Sequence, residues 1–208
     1  MKMGLKLIVV IFNFIIIGLF GSCASTGQNH IVENNHLNHS GISGEKITVQ
    51  IHRVFGPWYH ASMRINLDSD LLMEKYGKDQ GLVNTDKNGV KYITLGAGPK
   101  NIFFNRKLKA ELNRPRDINE KTHIKVETHN YYLTSENIDT IFDIFYAYSN
   151  DLRYAYFPEN KEDKFNSNSF ITGILKGMGL EAPVFSTKYR IPGYNKPIPL
   201  KMESKNVI

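Results

Sequence analysis

The sequence predicts an α+β domain in which a mainly antiparallel sheet of four to six strands packs against two or more helices. Three observations predict it. Four runs of alternating apolar and polar residues come first along the chain, and two apolar stripes at helical spacing follow them. The 208 residues contain one cysteine, so no internal disulfide can hold the domain and a packed core must do so. Residues 46–208 are ample for a single domain of that kind.

The chain opens with Lys2 and Lys6, an almost unbroken apolar run from Leu7 to Phe20, and then Gly21 and Ser22 before Cys23. Basic, apolar and small-residue regions in that order make residues 1–22 an export signal. A spanning helix needs about twenty apolar residues. This run is shorter and ends at small residues, which favours cleavage over a permanent anchor. Residues 24–45 are rich in Asn, His, Ser and Gly and have no apolar periodicity beyond Ile31, Val32, Leu37 and Ile42, so they read as a flexible tether. His30, His36 and His39 on that segment lack the neighbours that orient metal ligands, and neither a metal nor a cofactor is expected.

Ile47, Val49 and Ile51 alternate with Thr48, Gln50 and His52, the period of a half-buried strand. Trp58 to Leu67 repeats the pattern, with Tyr59, Ala61, Met63 and Ile65 on one face and His60, Ser62 and Arg64 on the other. A third strand spans Lys91 to Leu95, introduced by a turn over Asp86 to Gly89 and closed by Gly96-Ala97-Gly98-Pro99. Thr122 to Thr128 makes a fourth. Thr134 or Ser135 caps a helix whose stripe is Ile138, Ile141, Phe142, Phe145 and Tyr148. A second helix, from about Ser167 to Met178, carries Phe170, Ile171, Ile174, Leu175 and Met178 and stops at Gly179. Tyr146, Tyr148, Tyr154, Tyr156 and Phe157 are expected to pack around the first helix. From Ala182 onward, prolines and Gly193 leave a tail of little regular structure.

The segment Leu19-Phe20-Gly21-Ser22-Cys23 resembles the lipobox of bacterial lipoproteins. The resemblance implies lipidation of Cys23, which also explains an unpaired cysteine in an exported chain. Several acyl chains, at about 0.8 kcal/mol per buried methylene, hold a protein stably on a bilayer. Ala24 after the cysteine implies the outer membrane in a Gram-negative cell. The expected place is therefore the cell envelope.

Asn166 to Leu180 (NSNSFITGILKGMGL) is the stretch most suggestive of chemistry. A Ser167 hydroxyl at a helix N-terminus sits where the helix dipole favours a developing negative charge, a suitable place for a nucleophile. It is also an ordinary place for an N-cap serine, and capping is the plainer local explanation. The strand with His60 (YHASMRI), the segment Thr94 to Pro99, and NSNSF opening an apolar helix together resemble a permuted papain-like domain. That group includes the NlpC/P60-like and lecithin:retinol acyltransferase-like proteins. The tail residues Pro192, Gly193, Tyr194 and Pro197 resemble those of related bacterial domains with serine at the cysteine position. The resemblance implies Ser167 as nucleophile, His60 as general base and Asn166 as a hydrogen-bonding neighbour. For the residue that orients the histidine, Thr94 is a candidate by position and His123 or His129 by chemistry. A serine hydroxyl needs stronger base assistance than a thiol. Serine in place of cysteine therefore marks either a serine hydrolase or a domain that has lost catalysis.

Other constellations carry less. Gly96-Ala97-Gly98-Pro99 is not followed by the Lys-Ser or Lys-Thr of a phosphate loop, and a tight turn accounts for it better. Asp68, Asp70 and Glu74 lack the spacing of a calcium loop and read as solvated carboxylates near a helix start. The net charge of +6 comes from 26 basic and 20 acidic residues, scattered without a basic block, so no nucleic-acid partner is expected. The functional expectation is an envelope hydrolase or acyltransferase acting on an amide or ester, with peptidoglycan peptides and lipid esters both within reach. The alternative is a noncatalytic envelope domain that binds through the same cleft or serves as a structural partner.

Overall fold

The computed structural model describes residues 32–34, 44–78, 82–100, 106–118 and 125–200. The export signal, Cys23, the tether histidines and His123 lie outside them. No described helix is long and apolar enough to cross a membrane.

Nine strands and four helices occupy the described residues: β1 Val32–Asn34, β2 Glu45–Phe55, β3 Trp58–Asn66, α1 Asp70–Tyr76, β4 Asn84–Thr85, β5 Lys91–Pro99, β6 Leu108–Leu112, α2 Pro115–Ile118, β7 Lys125–Leu133, α3 Ser135–Ala147, β8 Arg153–Tyr154, β9 Lys164–Phe165 and α4 Ser167–Gly177. The main sheet runs β1-β7-β2-β3-β5-β4, with β6 also on β5. All of its pairings are antiparallel except β1 with β7. The stretch expected to be a tether thus contributes Val32–Asn34 to a sheet edge. A second, two-stranded parallel sheet joins β8 to β9.

Alternation builds the core. Ile47, Val49 and Ile51 of β2, Ala61, Met63 and Ile65 of β3, and Ile93, Leu95 and Ala97 of β5 are buried in one cluster with Ile138, Ile141 and Phe142 of α3 and Phe170, Ile171 and Ile174 of α4. Each large side chain so buried stabilises the fold by about 1.5–3 kcal/mol. Thr134 caps α3 by accepting from the Asn137 N–H, and Gly179, at φ +69°, ends α4 in the left-handed conformation glycine adopts without strain.

Two departures from the sequence pattern position the site. The strand β5 does not turn at Gly96 but continues to Pro99, paired with β6 from Leu95 to Pro99. Its pairing with β3 ends at Met63↔Leu95, so beyond that point β5 has left β3, and the β3 edge from Trp58 to Ser62 is open to other groups. The polar face of the strands is also buried rather than half-exposed. Thr48, Gln50, His52, His60, Ser62 and Thr94 all lie inside; the segment Asn113–Ile118 reaches Gln50, His52, His60 and Thr94 and places Asp117 against His60, while Thr48 donates to Asn130 of β7. Tyr148 packs on Phe170, with ring centroids 5.3 Å apart, and Tyr146 on Phe145. Tyr154 packs against the same core cluster, and with Tyr156 and Phe157 it lines a cavity next to β8 and β9.

Candidate active site

The open edge of β3 is filled by a side chain. Asn168, in the first turn of α4, accepts from the Ala61 N–H through Oδ1 at 2.6 Å and donates through Nδ2 to the Tyr59 carbonyl at 3.2 Å. Its amide thus pairs with β3 backbone as a neighbouring strand would. It anchors the N-terminus of α4 one residue from His60. Just before this point, the Tyr59 N–H donates to the Arg190 carbonyl at 2.9 Å, so the tail covers the rest of the edge.

The remaining polar side chains of the motif are also committed to structure. Asn166 is the N-cap, its Oδ1 accepting from the backbone N–H groups of Asn168 and Ser169 at 3.0 and 3.1 Å. Its Nδ2 donates to the carbonyls of Tyr156 and Pro192, so this neighbour of Ser167 supports backbone. Ser169 donates to the Gly193 carbonyl at 3.0 Å. A Cβ at Gly193 would lie 2.7 Å from Asn166 Oδ1 and 2.8 Å from Ser169 Oγ, which explains why the tail passes here on a glycine.

Ser167 is therefore the N1 residue and not the cap, and its hydroxyl is left to face His60. Ser167 Oγ lies 2.6 Å from His60 Nδ1, and His60 Nε2 lies 2.8 Å from Asp117 Oδ1. The three side chains stand in one hydrogen-bonded line of hydroxyl, imidazole and carboxylate, a geometry able to activate a serine. The ring is used in the opposite sense to the trypsin-like proteases, where Nε2 faces the serine.

Protonation follows from what each atom can do. An ionised carboxylate only accepts, so His60 Nε2 carries the proton it donates to Asp117. In a neutral ring Nδ1 is then bare, and the Ser167 hydroxyl donates to it. Burial, stronger than the opposing Asp117 charge and hydrogen bond, pulls the His60 pKa from 6.5 down to about 4, with Arg114 and His52 adding to the fall. Burial works against ionisation of Asp117 as well, but the His60 charge, the nearby His52 ring, the hydrogen bond from His60 and the Arg114 charge outweigh it. They hold the carboxyl below the ordinary range. Near neutral pH the pair is imidazole and carboxylate.

Two glycines make room for the acid. A Cβ at Gly96 would stand 2.2 Å from Asp117 Oδ2, and one at Gly98 would stand 2.3 Å from Arg114 Nη2. Arg114 Nη1 donates to the Ala97 carbonyl, which fixes the segment across β5. The orienting position expected for Thr94 therefore belongs to Asp117. Thr94 lies on the same strand face, but its hydroxyl and backbone N–H both donate to Asn113 Oδ1, at 3.4 and 2.8 Å. His129 stands on β7 opposite Val49, its ring 5.0 Å from that of Tyr131, and takes no part in the line.

Behind the line is a buried polar row. His52 Nε2 is 3.0 Å from Ser62 Oγ and 3.7 Å from Asp117 Oδ1, its ring stacked on His60 at 5.7 Å, and Gln50 Nε2 donates to Ser62 Oγ at 3.0 Å. Ligand-type atoms of His52, His60 and Asp117 lie within 4.8 Å of one another, as a metal would require. The facing pair His60 Nε2 and Asp117 Oδ1 is instead engaged in a hydrogen bond, with serine on the other ring nitrogen, and that is the arrangement of a proton relay.

The helix supplies the remaining element. As the first helical residue, Ser167 has a backbone N–H with no intrahelical partner, and no described residue engages it, whereas those of Asn168 and Ser169 are taken by the cap. That free N–H, on the same residue as Oγ, together with the helix dipole could serve as a donor to an oxyanion.

Asp117 is not legible as a site residue in the sequence because it directly follows Arg114-Pro115-Arg116, where an acid looks like a surface ion-pair partner. The available signal was Gly96 and Gly98, alternate residues on one strand face, since a strand that lacks side chains at such positions is one that another segment approaches closely. Comparison with protein-family models, with curated proteins and with solved structures finds no match to this chain, so what it does must be argued from this site.

Proposed function

We propose that the chain is a serine-dependent hydrolase or acyltransferase acting on an amide or ester, in a permuted papain-like domain tethered to a membrane by lipid on Cys23. The observation that carries the activity is the line Ser167–His60–Asp117, with contacts of 2.6 and 2.8 Å.

In the reaction, Ser167 Oγ bonds to the carbonyl carbon as its proton passes to His60 Nδ1. The electron pair displaced onto the carbonyl oxygen is met by the Ser167 N–H. His60 becomes imidazolium, stabilised by the carboxylate of Asp117. Collapse expels the alcohol or amine, which takes the proton back from His60 Nδ1 and leaves an acyl group on Ser167. Water or an acceptor alcohol or amine then attacks that ester with His60 again as base, giving hydrolysis or acyl transfer.

The supporting features are independent of one another. The motif commits Asn166, Asn168 and Ser169 to backbone and leaves Ser167 against the base. A buried carboxylate, which is costly unless paired, is kept where the histidine needs it. Intact-mass analysis of the full chain in neutral detergent after exposure to p-nitrophenyl butyrate tests the reading. A butyryl adduct is expected on the wild type and none on Ser167→Ala. A chain that turns over the ester equally well after that substitution would rule the proposal out.

A further inference from the structure

Next to β8 and β9 is a cavity of about 430 Å³, within the size range of small-molecule sites. Four of its lining side chains are cationic, Arg106, Arg153, Lys161 and Lys164, and none is acidic. Arg153 pairs with Asp163 at 2.5 Å. The Arg106 guanidinium lies over the Tyr156 ring, 5.0 Å from its centroid. Among the described residues Lys161 and Lys164 form no close ion pair, although the Lys164 charge helps to hold the Asp163 carboxyl below the ordinary range. The loop that carries them is held from the other side by Lys196, whose ammonium donates to the carbonyls of Pro158, Lys161, Glu162 and Lys164. The anchoring of the loop therefore leaves the two lysine ammonium groups unspent.

The wall of this cavity is fastened to both halves of the triad. Tyr154 pairs with Phe165, two residues before Ser167, and the Tyr156 carbonyl accepts from Asn166 Nδ2 at 3.2 Å. Phe157 packs edge-on against Trp58 at 4.6 Å, two residues before His60. Four cations with one acidic partner, Asp163 on Arg153, leave an excess of positive charge, and aromatic faces that reduce the local dielectric make it attract negative charge more strongly than the same groups spread over a surface.

We propose that this cavity binds an anionic group, a carboxylate or a phosphate, on the substrate whose carbonyl Ser167 attacks. The proposal rests on the reading of Ser167 as nucleophile for the word substrate, but the anion site itself is independent of that reading. It gives the enzyme a preference for acyl compounds bearing a negative charge near the scissile bond and leaves neutral esters to react without that contact.

Trp58 is the single tryptophan of the chain, so its fluorescence reports on the adjoining wall. Full-length Ser167→Ala protein in neutral detergent is titrated with inorganic phosphate and, separately, with acetate, against chloride at matched ionic strength. A saturable response beyond the chloride control is expected, and the ion that saturates at lower concentration identifies the chemistry. In Lys161→Gln/Lys164→Gln on the same background the midpoint rises tenfold or more, about what is lost with a charge-assisted contact. In active protein, kcat/KM for p-nitrophenyl hemisuccinate exceeds that for p-nitrophenyl butyrate, and the ratio falls about tenfold in the double variant and further in Lys161→Glu/Lys164→Glu. Saturable binding without turnover of either ester supports the anion site and sinks the catalytic reading alone. Turnover with no charge preference and no response beyond chloride overturns the anion site and leaves the triad standing.

Discussion

The proton on His60 Nε2 decides what Ser167 can do. While Asp117 is an acceptor, that proton stays on Nε2 and Nδ1 is free to draw the hydroxyl proton at 2.6 Å. Asp117→Asn leaves the size unchanged but removes the charge and allows an amide N–H to face the ring, which reverses the tautomer. Ester turnover is expected to fall by about 10³–10⁴-fold, as removal of the charge does in serine-protease triads, with circular dichroism unchanged. The depressed pKa of His60 has two further consequences. His60 must be neutral to act as base, so the acid limb of kcat/KM lies near pH 4 and not near 6.5, the ordinary value, when initial rates are followed from pH 8 downward. Between those values the unfolded chain binds a proton at this position that the folded chain does not, so stability falls as pH drops through that window. At about 1.4 kcal/mol per pH unit this amounts to on the order of 3 kcal/mol. Urea midpoints at pH 7 and pH 4.5 measure it, and the difference shrinks in His60→Gln.

Among the secondary-structure elements, the decisive contact is that between the first turn of α4 and the edge of β3. Asn168→Ala removes both strand-like hydrogen bonds and leaves the Ala61 N–H and the Tyr59 carbonyl buried without them. A loss of about 1–3 kcal/mol is expected by urea titration, together with slower acylation as Ser167 shifts away from His60. Gly96→Ala tests the other support, because its methyl would meet Asp117 Oδ2 at 2.2 Å. Turnover should fall while the β2–β3 hairpin and the apolar core remain. The alternating apolar residues and the helical stripes are legible because both report directly on burial, and they place β3, α3 and α4 to within a residue, while β2 runs three residues beyond the alternation, to Phe55. What the pattern does not convey is which segment covers a polar face. Gln50, His52, His60 and Ser62 look like surface residues until Asn113–Ile118 folds over them, and Gly96 to Pro99 looks like a turn until β6 pairs with it. For the same reason Ser167 and His60 could be picked out from the sequence and Asp117 could not. Two of the three triad members sit on periodic elements, and the third sits on a short helical turn placed only by tertiary contacts.

As a whole molecule, the chain places the polar line Ser167–His60–Asp117 on one face of a sheet whose other face is an apolar core shared with two helices. This separation lets a hydrogen-bonded carboxylate exist in the interior without disrupting the packing that holds the domain. The lipid expected on Cys23 would confine that chemistry to a membrane surface. When the gene is expressed in a bacterium that processes lipoproteins, Cys23→Ala should move the protein from the membrane pellet to the soluble or secreted fraction. Retention in the pellet after a carbonate wash would contradict the anchor. Because the ligand-type atoms of His60 and Asp117 are engaged with each other, prior treatment with a chelator is expected to leave ester turnover unchanged. The most direct test of the central claim is labelling of the full chain with a fluorophosphonate, which reacts only with an activated serine. The account predicts labelling of the wild type, none in Ser167→Ala or His60→Ala, and strongly slowed labelling in Asp117→Asn. A folded wild-type chain that resists the probe, or a Ser167→Ala chain that still takes it, would contradict the account.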